Sequence, residues 1–311
     1  MKYAVFCFAF VAVASGCGPK KFTVPDSGIV SSDDVELVAR GEYLFHGAAH
    51  CSACHTTAEV GASIKGGDRP APSGGHEWKM GPLGTLRSAN ITSDAKTGIG
   101  TWSDADIARV IKHGVRPDGT ISTFMRFALG DIADDDIRAL VSYVRTLAPV
   151  ENAVPRSEIG LLGGMVLGGL EPRTSQAPTT APPLAPTVER GRYLAYGPAA
   201  CVNCHSATDG FAPKKGMEFT GATEPMESEF EDDANKYLAP NLTPDPTGIA
   251  GKWTEEQFLA RFKEGRTHRG SPMPWGNYQN LQDDDVKALW LFLKSLPPHA
   301  HDTSVTVIAK K

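Results

Sequence analysis

The sequence predicts an all-α protein: two tandem copies of one helical domain, joined by a proline- and glycine-rich linker. Three observations carry this expectation. The chain repeats itself at long range, apolar residues recur at helical spacing in both copies, and no convincing run of alternating strands appears.

The repeat runs through three blocks. "ARGEYLFHGAAHCSACH" (39–55) lies over "ERGRYLAYGPAACVNCH" (189–205) without a gap. "SANITSDAKTGIGTWSDADIARVIKHG" (88–114) lies over residues 239–265 with small shifts, and residues 125–150 lie over 273–298. Cys51 and Cys201 stand 150 residues apart, so the unit is a whole globular domain and not a solenoid repeat. The predicted boundaries are residues 33–150 and 188–300, with a tether at 18–32 and a tail at 301–311.

Each element has a local reason. Asp33 and Asp34 precede Val35, Leu37, Val38, Tyr43 and Leu44, an apolar set near helical spacing with acidic residues at its start. Ser103 with Asp106, and Thr254 with Gln257, have capping-box spacing before the next helix; Gly114 and Gly265 supply its stop. Asp134–Asp136 and Asp283–Asp285 open the last helix of each copy, and Pro149 and Pro297-Pro298 follow its end. Residues 151–187 change to a composition rich in proline, glycine and threonine, as in a linker. The short apolar piece there, Leu161–Leu170, is too short to span a bilayer and is expected to pack across the junction.

At 311 residues the chain has room for two cores, and 41% hydrophobic with 22% charged residues is ordinary for a globular protein. A net charge of −5 without a basic cluster argues against nucleic acid as a partner. Residues 1–17 read as a secretory signal: Lys2, an apolar run from Tyr3 to Ala14, then small residues. Ala14-Ser15-Gly16-Cys17 resembles a bacterial lipobox, which places a lipid anchor on Cys17 and the mature chain in the periplasm, tethered to a membrane.

Four of the six cysteines carry the chemistry. Cys51-Ser52-Ala53-Cys54-His55 and Cys201-Val202-Asn203-Cys204-His205 both fit C-x-x-C-H, the attachment signature of c-type haem. Two sulfurs at this spacing reach the two vinyl groups of one porphyrin, and the adjacent histidine falls beneath the iron. A redox dithiol would sit in a strand-rich thioredoxin pattern, which is absent; a zinc site would draw its four cysteines together, and here they are split between copies. The expected cofactors are two covalently bound haem c groups, with iron bound by His55 and His205.

A sixth ligand is expected from methionine. Met125 follows His55 by 70 residues and Met273 follows His205 by 68, each on a loop before the final helix of its copy. Met80, Met217, Met226, His46, His50, His76, His113 and His268 have no partner at an equivalent position. Asn90-Ile91-Thr92 and Asn241-Leu242-Thr243 match a glycosylation sequon, but their aligned placement suggests a structural turn beside the haem.

These motifs together resemble a two-domain, dihaem bacterial cytochrome c of class I. RGEYL and RGRYL before C-x-x-C-H, ANIT and PNLT with a following tryptophan, and the methionine before D-D-D-[IV]-x-A-L are similar to the cytochrome subunits of periplasmic alcohol, aldehyde and gluconate dehydrogenases. The resemblance covers residues 35–150 and 188–298. Those subunits commonly carry three haems where this chain has two motifs, and Met125-Arg126 departs from the more typical Met273-Pro274. It implies an electron carrier between a dehydrogenase donor and an oxidase or cytochrome acceptor, not an enzyme. The alternative is a dihaem peroxidase-like enzyme with one open haem site. The acidic run Glu227–Asp233 is either a docking patch for a basic partner or a solvated loop.

Overall fold

A computed structural model of the chain describes residues 20–56, 69–210, 212–228 and 234–310. The expected signal segment with Cys17, and most of the acidic run 227–233, lie outside the described residues. In the first copy the chain forms α1 (Val35–His46), the short α2 (Cys51–His55), α3 (Asp104–His113), α4 (Thr123–Ala128) and α5 (Asp134–Thr146). After α6 (Leu161–Leu167) come α7 (Val188–Tyr196), α8 (Cys201–Cys204), α9 (Ile249–Lys252), α10 (Glu255–Glu264), α11 (Trp275–Tyr278) and α12 (Asp283–Ser295).

Caps set the helix starts where the sequence places them. The Asp34 carboxylate accepts from the Leu37 amide at 2.9 Å and opens α1. Ser103 with Asp106, and Thr254 with Gln257, close full capping boxes at α3 and α10. A cap of this kind contributes roughly 0.5–2 kcal/mol.

Packing explains the R-G-x-Y-L motif. α1 crosses α5, and α7 crosses α12. A Cβ on Gly41 would stand 2.0 Å from the Ala139 carbonyl oxygen, and one on Gly191 would stand 1.9 Å from that of Ala288. Only glycine lets these backbones approach so closely. The flanking arginine and tyrosine then build a crossed pair of contacts. Arg40 pairs with Asp136 at 2.6 Å and Arg190 with Asp285 at 2.7 Å, each within its own copy. The tyrosines reach over to the other copy: the Tyr43 hydroxyl donates to Asp285 at 2.7 Å, and Tyr193 donates to Asp136 at 2.5 Å. The apolar core runs without a break from Leu44, Phe45 and Leu140 to Leu194, Leu289 and Phe292.

The chain is largely helical, but the expectation of a purely helical fold needs correction. Strands β1 (Glu77–Lys79), β2 (Gly84–Arg87) and β3 (Glu158–Ile159) form one small antiparallel sheet. Strands β4 (Thr208–Asp209) and β5 (Ala212–Pro213) pair, and β6 (Met226–Glu227), β7 (Asn235–Tyr237) and β8 (Val307–Ala309) make a third sheet. Segments of two to four residues are too short for a period-two pattern to register. β3 comes from the expected linker and β8 from the expected tail, so both segments are tied into sheets.

The linker also differs from expectation. α6 packs on residues 81–83 of the first copy and not across a junction. Leu161 is 84% exposed and Met165 66%. Farther on, the linker stays on the first copy, where the buried Arg173 guanidinium donates to the carbonyls of Lys112, Leu129 and Ile111. Among the described residues, no helix is long and apolar enough to cross a membrane.

Candidate haem sites

Each C-x-x-C-H motif starts with a bent backbone. His50 and Ala200, the residues before the first cysteines, hold left-handed conformations with φ of 41° and 46°. Their carbonyls accept from the amides of Ala53 and Asn203 at 2.9 Å and begin the one-turn helices α2 and α8. A non-glycine residue in this region costs of order 1 kcal/mol, so the surrounding fold must impose it. Neither residue signals it in the sequence.

The histidines are held the same way in both copies. His55 Nδ1 meets the Ala89 carbonyl oxygen at 2.7 Å, and His205 Nδ1 meets that of Pro240 at 2.9 Å. A carbonyl only accepts, so Nδ1 carries the proton and Nε2 keeps its lone pair for a metal. Burial pushes the pKa of both histidines down, which keeps the rings neutral.

Ala89 and Pro240 immediately precede the N-x-T turns, and those turns hold the carbonyls in place. The Asn90 side chain accepts from the Thr92 amide and hydroxyl at 3.0 and 2.7 Å and donates to the Val150 carbonyl at 2.8 Å. Asn241 repeats every contact: it accepts from Thr243 at 2.9 and 2.8 Å and donates to the His299 carbonyl at 2.8 Å. Asn90 is 2% exposed and Asn241 0%, so both are turn clamps and no glycan could reach them.

The motifs open into two apolar clefts. The first encloses about 1100 Å³ of empty space, solvent mouth included, and its walls include Cys51, Cys54, His55, Trp102, Met125 and Leu140. The second encloses about 1480 Å³ and is lined by Cys201, Cys204, His205, Trp253, Phe258 and Met273 among others. Both are concave and walled mostly by apolar side chains with a few polar groups among them, the make-up of a cofactor site. All eight residues singled out in the sequence therefore fall into two matching sets of four. The residues present fit the group.

Two details depart from the sequence reading. Met125 lies within the short helix α4, where a loop was expected; Met273 does lie in a loop, just before α11. Arg126 continues α4 where Pro274 forces a turn, because proline lacks the N–H that a helix interior needs. Arginines unmarked by any motif fix both segments. Arg116 donates to the Ile121 carbonyl at 2.5 Å before Met125, and Arg266 donates to the carbonyl of Met273 itself at 3.3 Å.

The competing ligands separate. His46 has both ring nitrogens engaged, by Ser52 and Tyr143, and burial pushes its pKa down to about 4. His113 Nδ1 faces the Arg173 carbonyl at 2.8 Å. Met226 and His268 line the second cleft and His50 the first, none with an equivalent in the other copy. Burial pushes the Cys51 and Cys201 thiols up to about 12, which is wrong for a reactive dithiol or a thiolate metal site. Among the described residues no cluster of three or more His, Cys, Asp or Glu could hold a bare metal ion.

Comparison with known families decides what such a cleft belongs to: residues 38–148 match the cytochrome c family. Residues 38–148 are a cytochrome c domain. Such a domain carries covalently bound haem c, in agreement with its C-x-x-C-H motif. The chain is 31% identical over 280 residues to the cytochrome c subunit of an alcohol dehydrogenase (quinone) from Gluconacetobacter polyoxogenes, which covers 85% of this chain and 57% of the relative. It is 32% identical over 288 residues to the gluconate 2-dehydrogenase cytochrome c subunit of Pantoea cypripedii, covering 88% and 62%. A diheme cytochrome c-type protein of Cereibacter sphaeroides matches at 27% over 271 residues, covering 83% and 86%. The chain thus spans little more than half the length of the dehydrogenase subunits it resembles, while the cytochrome c domain accounts for its helical first copy.

Proposed function

We propose that this protein is a dihaem electron carrier made of two tandem cytochrome c domains, residues 33–150 and 188–300. Cys51 and Cys54 would hold the first haem c through thioethers, and His55 and Met125 would bind its iron. Cys201, Cys204, His205 and Met273 would do the same for the second. Haem iron, when bound, supplies a one-electron couple between ferrous and ferric states. The protein residues do the rest. The Ala89 and Pro240 carbonyls aim the histidines, the apolar walls exclude water, and the methionines close each site to substrate, so the protein carries electrons and catalyses no bond-breaking step. The observation carrying this reading is the identical set of four donors lining both clefts.

Relatives named as cytochrome c subunits of alcohol and gluconate dehydrogenases support a dehydrogenase as the electron donor, with an oxidase or another cytochrome as acceptor. The methionines provide the test. Met273→Ala is expected to remove the second haem's share of the weak far-red band of the oxidised protein, lower its potential and open it to carbon monoxide. Met125→Ala is expected to act the same way on the first haem. Carbon monoxide binding by the unmodified protein, with a spectrum untouched by Met125→Ala, would favour the peroxidase-like alternative.

Export to the periplasm and a lipid anchor at Cys17 complete the proposal. Cys17→Ser is expected to move the protein from the membrane fraction to the soluble periplasm, followed by fractionation and immunoblotting. A lipoprotein's several acyl chains hold firmly where one chain binds only marginally. Unchanged membrane association in the variant would assign the attachment to a partner subunit.

A further inference from the structure

The two clefts meet across one pair of side chains, His50 and Tyr278. Tyr278, on α11, is 5% exposed and lines the second cleft. Its ring meets the edge of the His50 ring with centroids 5.9 Å apart, and His50 lines the first cleft directly before Cys51. The Tyr278 hydroxyl donates to the Ala199 carbonyl at 2.7 Å, two residues before Cys201. Its phenol lies within electrostatic reach of the sulfurs of Cys54, Cys201 and Cys204, which belong to both motifs.

Neighbouring contacts hold the two copies together at this point. Asn277 Nδ2 donates to Ser52 Oγ at 2.8 Å and to the His46 carbonyl at 3.1 Å, joining the segment after Met273 to the first motif. In return Asn203, inside the second motif, donates to the Phe127 carbonyl at 2.8 Å, two residues after Met125. The Phe262 ring lies nearly parallel to that of Tyr278, with centroids 6.2 Å apart. Buried polar contacts of this kind define one geometry, because any other leaves them unpaired.

We propose that Tyr278 is the bridging residue between the two haem sites, the packed ring that fills the gap an electron crosses from one to the other. The proposal rests on reading both clefts as haem sites. One electron moves: the donor site is oxidised from ferrous to ferric, the acceptor site is reduced from ferric to ferrous, and no bond forms or breaks. Tyr278 keeps its proton throughout, hydrogen-bonded to Ala199. It acts by position, since a close-packed medium couples two sites better than a gap of the same width.

The test uses the full-length protein with its haems attached. A flash-generated reductant delivers less than one electron per molecule, and electron redistribution between the haems is followed optically. Tyr278→Phe keeps the ring and is expected to keep the fast phase; Tyr278→Leu is expected to lose it at full haem content and by more than the change in the two potentials, measured alongside, accounts for. His50→Ala removes the contact from the other side and is expected to lose the fast phase too. It is a safe companion, because Ala200 already holds the same left-handed conformation in the second copy. Neighbouring haems should also give a split Soret circular dichroism band that disappears in a single-haem variant. An unsplit band in a protein that carries two haems overturns the bridge alone. Unchanged redistribution in both Tyr278→Leu and His50→Ala does so as well. One haem per chain overturns the bridge together with the two-site reading.

Discussion

Replacing Cys201 and Cys204 together with alanine is expected to halve the covalent haem, from two groups per chain to one, in a pyridine haemochrome assay after acid-acetone extraction. No other described cysteine lies in the second cleft, so nothing else there could form a thioether. The first haem should stay, because Cys51, Cys54 and His55 belong to a separate cleft. The loss reaches beyond the cofactor. The cleft walls, Phe258, Trp253 and Leu289 among them, would face an unfilled space, and an unfilled apolar cavity loses contacts on every side. The variant should therefore melt earlier than the unmodified protein. The mirror experiment at Cys51 and Cys54 should leave the second haem. Extractable haem in the unmodified protein, or one haem per chain, would sink the dihaem reading.

Asp285→Ala is expected to cost about 3–5 kcal/mol of folding stability, the usual penalty for stranding a buried charge. The Asp285 side chain is 0% exposed and accepts from Arg190 Nε and Nη2 at 2.7 and 3.0 Å and from the Tyr43 hydroxyl at 2.7 Å. Without it the Arg190 guanidinium, 5% exposed, is left inside the protein with its charge uncompensated. The equivalent change at Asp136 should cost less. Its partner Arg40 is 40% exposed and can turn to water. Urea unfolding of the two variants, with haem content checked first, measures the difference. Equal costs at the two positions would show that the tyrosine contacts between copies, which the two variants share, dominate over the ion pairs. Tyr43→Phe removes that contact together with the bond the hydroxyl accepts from the Gln282 amide at 3.2 Å, and is expected to cost about 1–2 kcal/mol.

Much of the site is legible in the residues alone. Cysteine and histidine chemistry demands fixed spacing along the chain, so C-x-x-C-H declares itself in five residues. The methionines are legible because duplication supplies an internal comparison: Met125 and Met273 occupy matching places, while Met226 does not. The parts that aim the ligands are not legible. A backbone carbonyl carries no sequence identity, so the support of His55 by Ala89 and of His205 by Pro240 shows only as an aligned N-x-T pair, readable as a structural turn beside the haem but not as the histidines' hydrogen-bond partner. The short strands escape for a related reason. Backbone hydrogen bonds pair β7 with β8 from the far end of the chain, and two or three residues leave no pattern.

The sequence by itself determined the repeat, the main helices of each copy with their capping boxes, and the cysteine, histidine and methionine side chains that line the two clefts. These depend on local propensity and on side-chain chemistry, which act at fixed separations along the chain. Only the tertiary structure decided how the copies face each other. Tyr43 finds Asp285 and Tyr193 finds Asp136 across the interface, and Asn277, Asn203 and Tyr278 bring the two motifs side by side. Such contacts join residues up to 242 positions apart, as in the Tyr43–Asp285 pair. The apolar core and the glycine crossings bring them into register, and burial then makes each unpaired alternative costly.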